Sequence, residues 1–215
     1  MFENVRADFK RGLEINVGPG WTGPFRLLLQ PTTFVVLNYR FGRWALSCPI
    51  PVVRELLLVV TAFTRYLLQI FTGVHISLRA QIDPGFVVHT AYGVFIGPTK
   101  IGANCVVQNG VVIGYGTRQI GDNVWFGPGA KVMGLANIGS NVVVIANSLV
   151  MTDVPDNTTV VGVPARIRIP RGNTLKMGAN GTTGNGSKPR QFHTKLNEWL
   201  EGKTESRDKK SAKAR

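Results

Sequence analysis

The sequence is poor in cysteine, histidine and charged residues. It contains two cysteines and three histidines among 215 residues, and only 17% of its residues are charged. The isolated thiols Cys48 and Cys105 have no paired spacing, which excludes a disulfide framework and a cysteine-based zinc site. Unpaired thiols indicate a reducing compartment. The few charges, together with 25 glycines, exclude a coiled coil or a long helical bundle.

Long uncharged apolar runs are also missing. The most apolar stretch, residues 51–71, is interrupted by Arg54, Glu55 and Arg65. No charge-free run there reaches the roughly 18 residues needed to span a bilayer. The N-terminus mixes charges of both signs where a signal peptide would need an apolar segment. We therefore expect a cytoplasmic protein, and the cations within the apolar stretches leave open a peripheral contact with the inner face of the membrane.

Positive charge is unevenly distributed along the chain. There are 25 Lys and Arg residues against 12 Asp and Glu residues, a net charge of +13. Residues 171–215 account for +7 and residues 1–170 for the remaining +6. The C-terminal segment is predicted to be a flexible linker, a short amphipathic helix and a basic, largely disordered tail. The excess of cations indicates either an anionic partner or a solvated tail.

An apolar residue recurs every six residues between residues 76 and 150. Ten of the twelve steps are six residues long and two are seven. Strands alternate with a period of two and helices repeat every 3.6 residues, so neither explains this spacing. The predicted anchors of the repeat are Ile76, Ile82, Val88, Val94, Ile101, Val107, Ile113, Ile120, Phe126, Val132, Ile138, Val144 and Val150.

A period of six fits a three-sided coil in which each flat side contributes one inward anchor. Three sides close a coil of about 18 residues, and stacked coils bury the anchors in one apolar prism. Glycine follows the anchor at five positions, which predicts corners whose backbone angles a Cβ would disfavour. These glycines are Gly102, Gly114, Gly121, Gly127 and Gly139.

The repeat resembles that of the hexapeptide-repeat acyltransferases. The matching stretches are residues 93–97, residues 142–150 and, most specifically, residues 153–166. Within that superfamily the chain is most similar to the serine acetyltransferase branch and to its relatives that acetylate bacterial exopolysaccharides, of the colanic-acid type. The resemblance implies a mainly β fold, a left-handed parallel β-helix. The predicted domains are an N-terminal helical segment (1–73), the β-helix (74–170) and the tail (171–215).

The resemblance also implies an activity and a set of site residues. The family members are acetyl-CoA-dependent O-acyltransferases, in which an outward histidine acts as general base in a groove between the subunits of a homotrimer, without a metal. His89 directly follows the inward anchor Val88, so it is the candidate base. The contacts to acetyl-CoA would fall on Gly114, Ala146 and Arg166. Cys105 lies at an inward, small-residue position and is predicted to be part of the core.

Two departures from the family pattern bear on the acceptor. Alignment on Gly93 places His89 on the family's aspartate and Thr90 on its histidine. The loop at residues 114–119 is short and lacks the second family histidine, which helps to hold an amino-acid acceptor. The first expectation is therefore acetyl transfer to a saccharide hydroxyl in surface polysaccharide biosynthesis. The alternative is serine O-acetylation in cysteine biosynthesis.

Functions of other classes remain open at this point. A metalloenzyme of the γ-carbonic-anhydrase type would need three converging histidines, whereas His75 and His89 are 14 residues apart and His193 lies outside the repeat. A non-catalytic β-helix scaffold, or a nucleic-acid-binding protein acting through the basic tail, would transfer no acetyl group. Nucleic acid is not the expected partner. Single-strand binders place aromatic residues along a basic groove, whereas the aromatic residues of this tail fall on one stripe of the predicted amphipathic helix.

Overall fold

Helices form the first part of the chain. The computed structural model describes residues 2–17 and 23–168, so the predicted linker, amphipathic helix and basic tail after residue 168 lie outside the described residues. In these described ranges four α-helices precede the repeat, and a π-helical turn, Leu13–Val17, follows the first of them. The helices are α1 (Phe2–Gly12), α2 (Gly23–Leu28), α3 (Pro31–Leu46) and α4 (Pro51–Thr72).

Proline and glycine set the ends of the two long helices. Pro31 and Pro51 occupy the first turn of α3 and α4, where the N–H that proline lacks would have no intrahelical partner. Helix α4 ends at Gly73, which has a left-handed φ of 62° and donates its N–H to the carbonyl of Gln69 at 2.8 Å. The first strand begins at the next residue, so Gly73 separates the helical segment from the repeat.

Within residues 23–168, fifteen short strands stack into three sheets. Every third strand pairs in parallel, which makes sheet 1 from β1, β4, β7, β10 and β13, sheet 2 from β2, β5, β8 and β11, and sheet 3 from β3, β6, β9, β12 and β14. The final strand, β15, pairs antiparallel with β14. The predicted parallel β-helix is therefore confirmed, with five strands in sheet 1. The strands are β1 (Val74–Ile76), β2 (Gln81–Ile82), β3 (Val87–Val88), β4 (Val94–Ile96), β5 (Lys100–Ile101), β6 (Val106–Val107), β7 (Val112–Ile113), β8 (Gln119–Ile120), β9 (Trp125–Phe126), β10 (Lys131–Val132), β11 (Asn137–Ile138), β12 (Val143–Val144), β13 (Leu149–Val150), β14 (Thr159–Val161) and β15 (Arg166–Arg168).

The inward column of anchors forms the core. All thirteen predicted anchors are buried. One of them, Val94, is not the residue that stacks on the anchors of the neighbouring coils. Val94 and Ile96 both point inward, and it is Ile96 that pairs with Ile76 and Ile113. The step from Val88 to Ile96 is eight residues, so the corner at residues 89–93 is two residues longer than a regular one.

The glycines that follow the anchors serve a different purpose from the predicted one. None of the five has a left-handed φ, and the left-handed positions lie further along each corner, at residues such as Asn104 and Gly110. A Cβ on Gly121 would lie 2.6 Å from the backbone nitrogen of Ser140 in the next coil, and a Cβ on Gly127 would lie 2.7 Å from that of Ala146. These glycines are therefore required by the close stacking of coils.

Helices α1 and α3 are tied to the first coil by a buried ion pair. The guanidinium of Arg40 donates to both carboxylate oxygens of Asp8, at 2.8 and 3.1 Å, and both side chains are buried. Asp8 also accepts the backbone N–H groups of Gly85 and Phe86, at 2.8 and 2.9 Å. Arg40 donates in turn to the carbonyl oxygens of Ile82 and Asp83. Each charge is thus hydrogen-bonded as well as paired, as a buried charge requires.

Tyr39 makes a second connection between α3 and the first coil. Its hydroxyl donates to the carbonyl of Ala80 at 2.8 Å and accepts the N–H of Ile82 at 3.2 Å. Burial of the ring raises the pKa of this hydroxyl above its usual value, so it remains a hydrogen-bond donor over the working pH range. The helices therefore cover the first coil through specific polar contacts in addition to apolar packing.

The buried pair predicts a large stability effect. Asp8→Asn would leave Arg40 as an uncompensated buried charge, and we expect the free energy of unfolding to fall by about 3–5 kcal/mol. Urea denaturation followed by circular dichroism measures the change. The control is Glu14→Gln, which removes the more exposed Arg11–Glu14 pair (3.2 Å) and should cost at most about 1 kcal/mol. Equal losses in the two variants would contradict the assignment.

Candidate active site

The corner between sheets 3 and 1 at the end of the first coil carries the candidate base. His89 directly follows β3, and its backbone N–H donates to the carbonyl of Val107 in the next coil at 2.9 Å. Its side chain is half-buried, and Nδ1 lies 3.0 Å from the hydroxyl oxygen of Thr90. The parallel ladder therefore fixes the backbone of His89, while a neighbouring hydroxyl contacts its ring.

The contact with Thr90 is compatible with a general base. In the tautomer whose proton is on Nδ1, the ring donates to the Thr90 hydroxyl and Nε2 carries the lone pair that accepts a proton. An imidazole whose second nitrogen is oriented in this way is the usual arrangement for proton transfer. Thr90 can thus hold the ring of His89 in place.

Tyr92 shapes the same corner through an unusual backbone conformation. Its φ is 78°, a left-handed value that is a true outlier for a bulky aromatic residue. The conformation is held on both sides, because Tyr92 donates its N–H to the carbonyl of Thr72 at 2.7 Å and accepts the N–H of Gly110 at 2.9 Å. Such strained residues cluster at functional sites, and the Tyr92 side chain is largely exposed beside the candidate base.

Three aromatic rings continue from this corner across the outer surface of sheet 1. His75 and Phe95 are stacked, with ring centroids 5.1 Å apart and an interplanar angle of 11°. Phe95 and Tyr115 are 5.8 Å apart and tilted by 50°. Burial lowers the pKa of His75, and the nearby Arg65 lowers it further, so this ring is neutral near pH 7. The rings of His75, Phe95 and Tyr115, called here the aromatic ladder, form an outward apolar strip.

The structure distributes the predicted cofactor-binding residues over different edges of the prism. Ala146 is exposed on the same edge as His89, three coils further along, or about 14 Å at the spacing of neighbouring strands. Gly114 lies on the next edge, after β7, and Arg166 is exposed in β15. Within one chain, His89 and Gly114 therefore lie on different edges of the prism and do not line the same surface. Pro128 stands on the His89 edge and has no N–H to offer a ligand.

Other candidate groups do not contribute a nucleophile or a metal site in the described part of the chain. Cys105 is buried, donates to the carbonyl of Gly121 at 3.2 Å, and has a pKa raised by burial to about 12. The prediction that it belongs to the core is confirmed. Within residues 2–17 and 23–168, no three His, Cys, Asp or Glu side chains are grouped to hold a metal ion. His193 lies outside these residues.

Sequence reasoning missed several features of this region. The strained Tyr92 and the aromatic ladder were not predicted, and the role of Thr90 as a partner of His89 emerged only from the structure. A signal was present in the spacing of the anchors. The seven-residue step from Ile113 to Ile120 marks the longer corner that carries Tyr115. The other seven-residue step, from Val94 to Ile101, lies after the corner at residues 89–93, so the spacing did not locate the corner that carries Tyr92.

Comparisons with known proteins agree on one family. No protein-family model matches the chain. The serine acetyltransferase of Synechococcus elongatus is 34% identical over 175 residues, which cover 78% of this chain and 68% of that protein. The serine acetyltransferase of Staphylococcus xylosus is 40% identical over 117 residues, but the match spans only 52% of its length.

A solved structure extends the agreement to the fold. The crystal structure of Neisseria gonorrhoeae serine acetyltransferase in complex with serine matches with a TM-score of 0.63 and 26% sequence identity. The match covers 78% of this chain and 69% of that one. The sequence similarity to the Synechococcus protein extends over more than two thirds of both chains, beyond the repeat alone. The chain therefore belongs to the serine acetyltransferase family and is an acyltransferase.

Proposed function

We propose that this enzyme transfers an acetyl group from acetyl-CoA to the hydroxyl of serine. The observation that carries the proposal is the 34% identity to a serine acetyltransferase over two thirds of both chains. The serine bound in the Neisseria enzyme adds support for an amino-acid acceptor. The relatives thus favour serine over the saccharide hydroxyl that the sequence departures had put first.

The chemistry assigned to His89 is that of a general base. Nε2 accepts the proton of the acceptor hydroxyl as the oxygen attacks the thioester carbonyl of acetyl-CoA. Nearby N–H groups or polar side chains would stabilise the oxyanion of the tetrahedral intermediate. The carbon–sulfur bond then breaks, the sulfur leaves as thiolate and takes the proton from the imidazolium, so that the products are the O-acetyl ester and CoA thiol. Thr90 holds the ring through Nδ1 during both proton transfers.

Acetyl-CoA binding is assigned to the backbone of Gly114 and Ala146 and to the Arg166 side chain. Because Gly114 and His89 lie on different edges of one prism, a groove between neighbouring subunits of a trimer could place the Gly114 edge of one chain beside the His89 edge of another. Arg166 is exposed at the last pair of strands and offers a cation to the phosphates of the nucleotide. Pro128 contributes no hydrogen bond from its nitrogen.

A saccharide acceptor is the second candidate, and the aromatic ladder favours it. The C–H faces of sugar rings pack well on exposed aromatic side chains, and Tyr115 of the ladder is largely exposed, as is Tyr92 at the neighbouring corner. The short loop at residues 114–119 has no histidine to hold an amino acid. Surface polysaccharide biosynthesis would be the corresponding role.

His89→Ala tests the assigned base. Removal of the imidazole should lower kcat for acetyl transfer by about 10²–10⁴-fold, because no other group would take the hydroxyl proton. Release of CoA thiol, followed with a chromogenic disulfide, measures the rate. His75→Ala is the matched control and should change the rate with serine by no more than about twofold, since His75 is assigned no proton transfer. Full activity of His89→Ala would contradict the mechanism.

Acceptor choice is tested by assaying the purified full-length chain with acetyl-CoA and either L-serine or a panel of saccharides. We expect thiol release with L-serine, and mass spectrometry should find O-acetylserine. Tyr115→Ala separates the two candidates, because it should leave the KM for serine unchanged and raise that for a saccharide that packs on the ladder. Thiol release with saccharides alone would replace the first proposal by the second.

Cys105 provides a test of direct transfer without an acyl-enzyme. Burial raises the pKa of Cys105 to about 12, so its sulfur is a thiol at pH 8, and its full burial also keeps an alkylating reagent away in the native state. We expect iodoacetamide at pH 8 to leave Cys105 unmodified by peptide mass spectrometry and the Cys105→Ala variant to keep its transfer rate within about threefold. Loss of activity in a folded Cys105→Ala variant would indicate a covalent intermediate.

A further inference from the structure

Helix α4 has its polar and apolar faces reversed relative to a helix of a water-soluble domain. The side that contacts α3 and the first coil carries Arg54, Thr61, Thr64 and Arg65 together with a few leucines, and Thr61 is fully buried. The side that faces away from the protein is apolar. We define this outer face as Val52, Val53, Leu56, Val59, Val60, Phe63, Tyr66, Leu67, Ile70 and Phe71, all of which are exposed.

The polar inner face is well satisfied by its contacts. Asn38 of α3 donates to the Thr64 hydroxyl at 2.5 Å, and the Thr61 and Thr72 hydroxyls donate to carbonyls of α4 itself at 2.7 and 2.6 Å. A Cβ on Gly42 of α3 would lie 2.7 Å from the Thr61 methyl group, so the two helices pack closely on this side. The orientation of α4 is thus fixed by packing and hydrogen bonds, and it leaves the apolar face outside.

The outer face is too large to be an ordinary feature of a solvated surface. Phe63, Tyr66 and Phe71 are 63%, 65% and 74% exposed. With about 150–250 Å² per aromatic side chain, these three rings alone expose roughly 400 Å², within the range of about 300–600 Å² for the largest apolar patch of a typical monomer. The seven aliphatic side chains of the face are 39–77% exposed, and they take its apolar area beyond that range. A surface of this size requires a partner.

The chemistry of the face favours lipid over a protein partner. Protein interfaces carry about one hydrogen bond per 100–200 Å². Between Leu56 and Phe71, the exposed side of α4 offers polar atoms only from Tyr66 and Gln69. The arginines of α4, Arg54 and Arg65, are half-buried on the opposite side of the helix, near Thr61, so the outer face carries no cation. This arrangement, a broad apolar face with aromatic residues on one side of the helix and the arginines on the other, is typical of helices that lie in a membrane surface.

The charge of this part of the chain suits an anionic membrane. The hairpin formed by α3 and α4 contains four arginines and one glutamate, and the whole chain has a net charge of +13. Arg40 is buried and paired with Asp8, which leaves Arg43, Arg54 and Arg65 against the one glutamate. The glutamate, Glu55, is paired with Arg54 at 3.2 Å. Anionic lipid headgroups attract such a surface, and the attraction adds to the burial of apolar side chains.

Helix α4 is also the one candidate membrane span in the described residues, since its 22 residues are long and apolar enough to cross a bilayer. The contacts of the inner face favour an α4 that lies parallel to the membrane surface over one that crosses the bilayer. A spanning helix would carry α3 and the first coil into the hydrocarbon, together with Arg40 and the ion pair that it forms with Asp8. We propose that α4 lies in the plane of an anionic membrane surface with its outer face inserted among the lipids. On this basis the acyltransferase site would work next to the membrane.

Vesicle flotation of the full-length chain tests the proposal. The wild type should float with vesicles of mixed phosphatidylcholine and phosphatidylglycerol, and more weakly with phosphatidylcholine alone. The double variant Val59→Glu, Phe63→Glu should partition at least about tenfold more weakly, because two charges would have to enter the apolar layer. Leu135→Glu, Met151→Glu introduces the same charges at exposed apolar positions of the β-helix and should float like the wild type. Circular dichroism checks that both variants remain folded.

A second measurement uses a chain with its apolar face intact. In Phe63→Trp, the added fluorescence should be quenched by vesicles that contain acyl-chain-brominated phospholipid, whereas the added fluorescence of Leu135→Trp should not. Flotation that is unchanged in the Val59→Glu, Phe63→Glu variant would overturn the proposal, because it would assign binding to another part of the chain. So would an absence of quenching at Phe63→Trp. The face would instead be assigned to a second copy of the chain by two results together. The wild type would not bind vesicles, and its oligomeric mass would fall in the Val59→Glu, Phe63→Glu variant.

Discussion

The close stacking of each coil on the next is the constraint on which the rest of this structure depends. Parallel pairing holds neighbouring coils about 4.8 Å apart, so each inward anchor must fill the space above the anchor of the preceding coil. Backbone also passes close to backbone at the corners, which is why Gly121 and Gly127 have no room for a Cβ. Outward side chains carry neither requirement, and the length of a corner can therefore differ from one coil to the next. The lengthened corner at residues 89–93 shows this freedom.

A β-helix has an open end, and the N-terminal helices cover it in this chain. The exposed strand edge of a first coil would otherwise be available for pairing with other chains. The pair between Asp8 and Arg40 reaches from α1 through α3 to the backbone of residues 82–86, so that a few charged hydrogen bonds fix the position of the helices. Once α3 is fixed, it dictates which side of α4 faces inward, and the consequence is the apolar outer face.

The candidate site depends on the same geometry. His89 takes its position from the ladder hydrogen bond to Val107, and the extra length of its corner turns Tyr92 outward in a strained conformation. The aromatic ladder follows from the vertical alignment of outward side chains in neighbouring coils, which places His75 next to Phe95. Residues far apart in sequence are thus brought together by the coil repeat.

Most of the fold could be predicted from the sequence, because a buried column imposes a period that survives in the residue types. The six-residue spacing was enough to identify the coil, and Cys105 was assigned to the core from its place in the repeat. The explanation of the corner glycines was wrong, because steric contact between coils cannot be seen in a linear pattern. The register at Val94 was also wrong, since two apolar residues on the same strand satisfy the pattern equally well.

By itself, the sequence determined the coil, the extent of the repeat and the family resemblance, because each depends on local residue types at fixed spacing. Only the tertiary structure decided which side of α4 is buried, because packing against α3 and the first coil selects one face of a helix that is apolar over most of its circumference. It also decided that Thr90 contacts His89 and that Arg40 pairs with Asp8 across 32 residues. These contacts arise from the three-dimensional path of the chain, which no local pattern records.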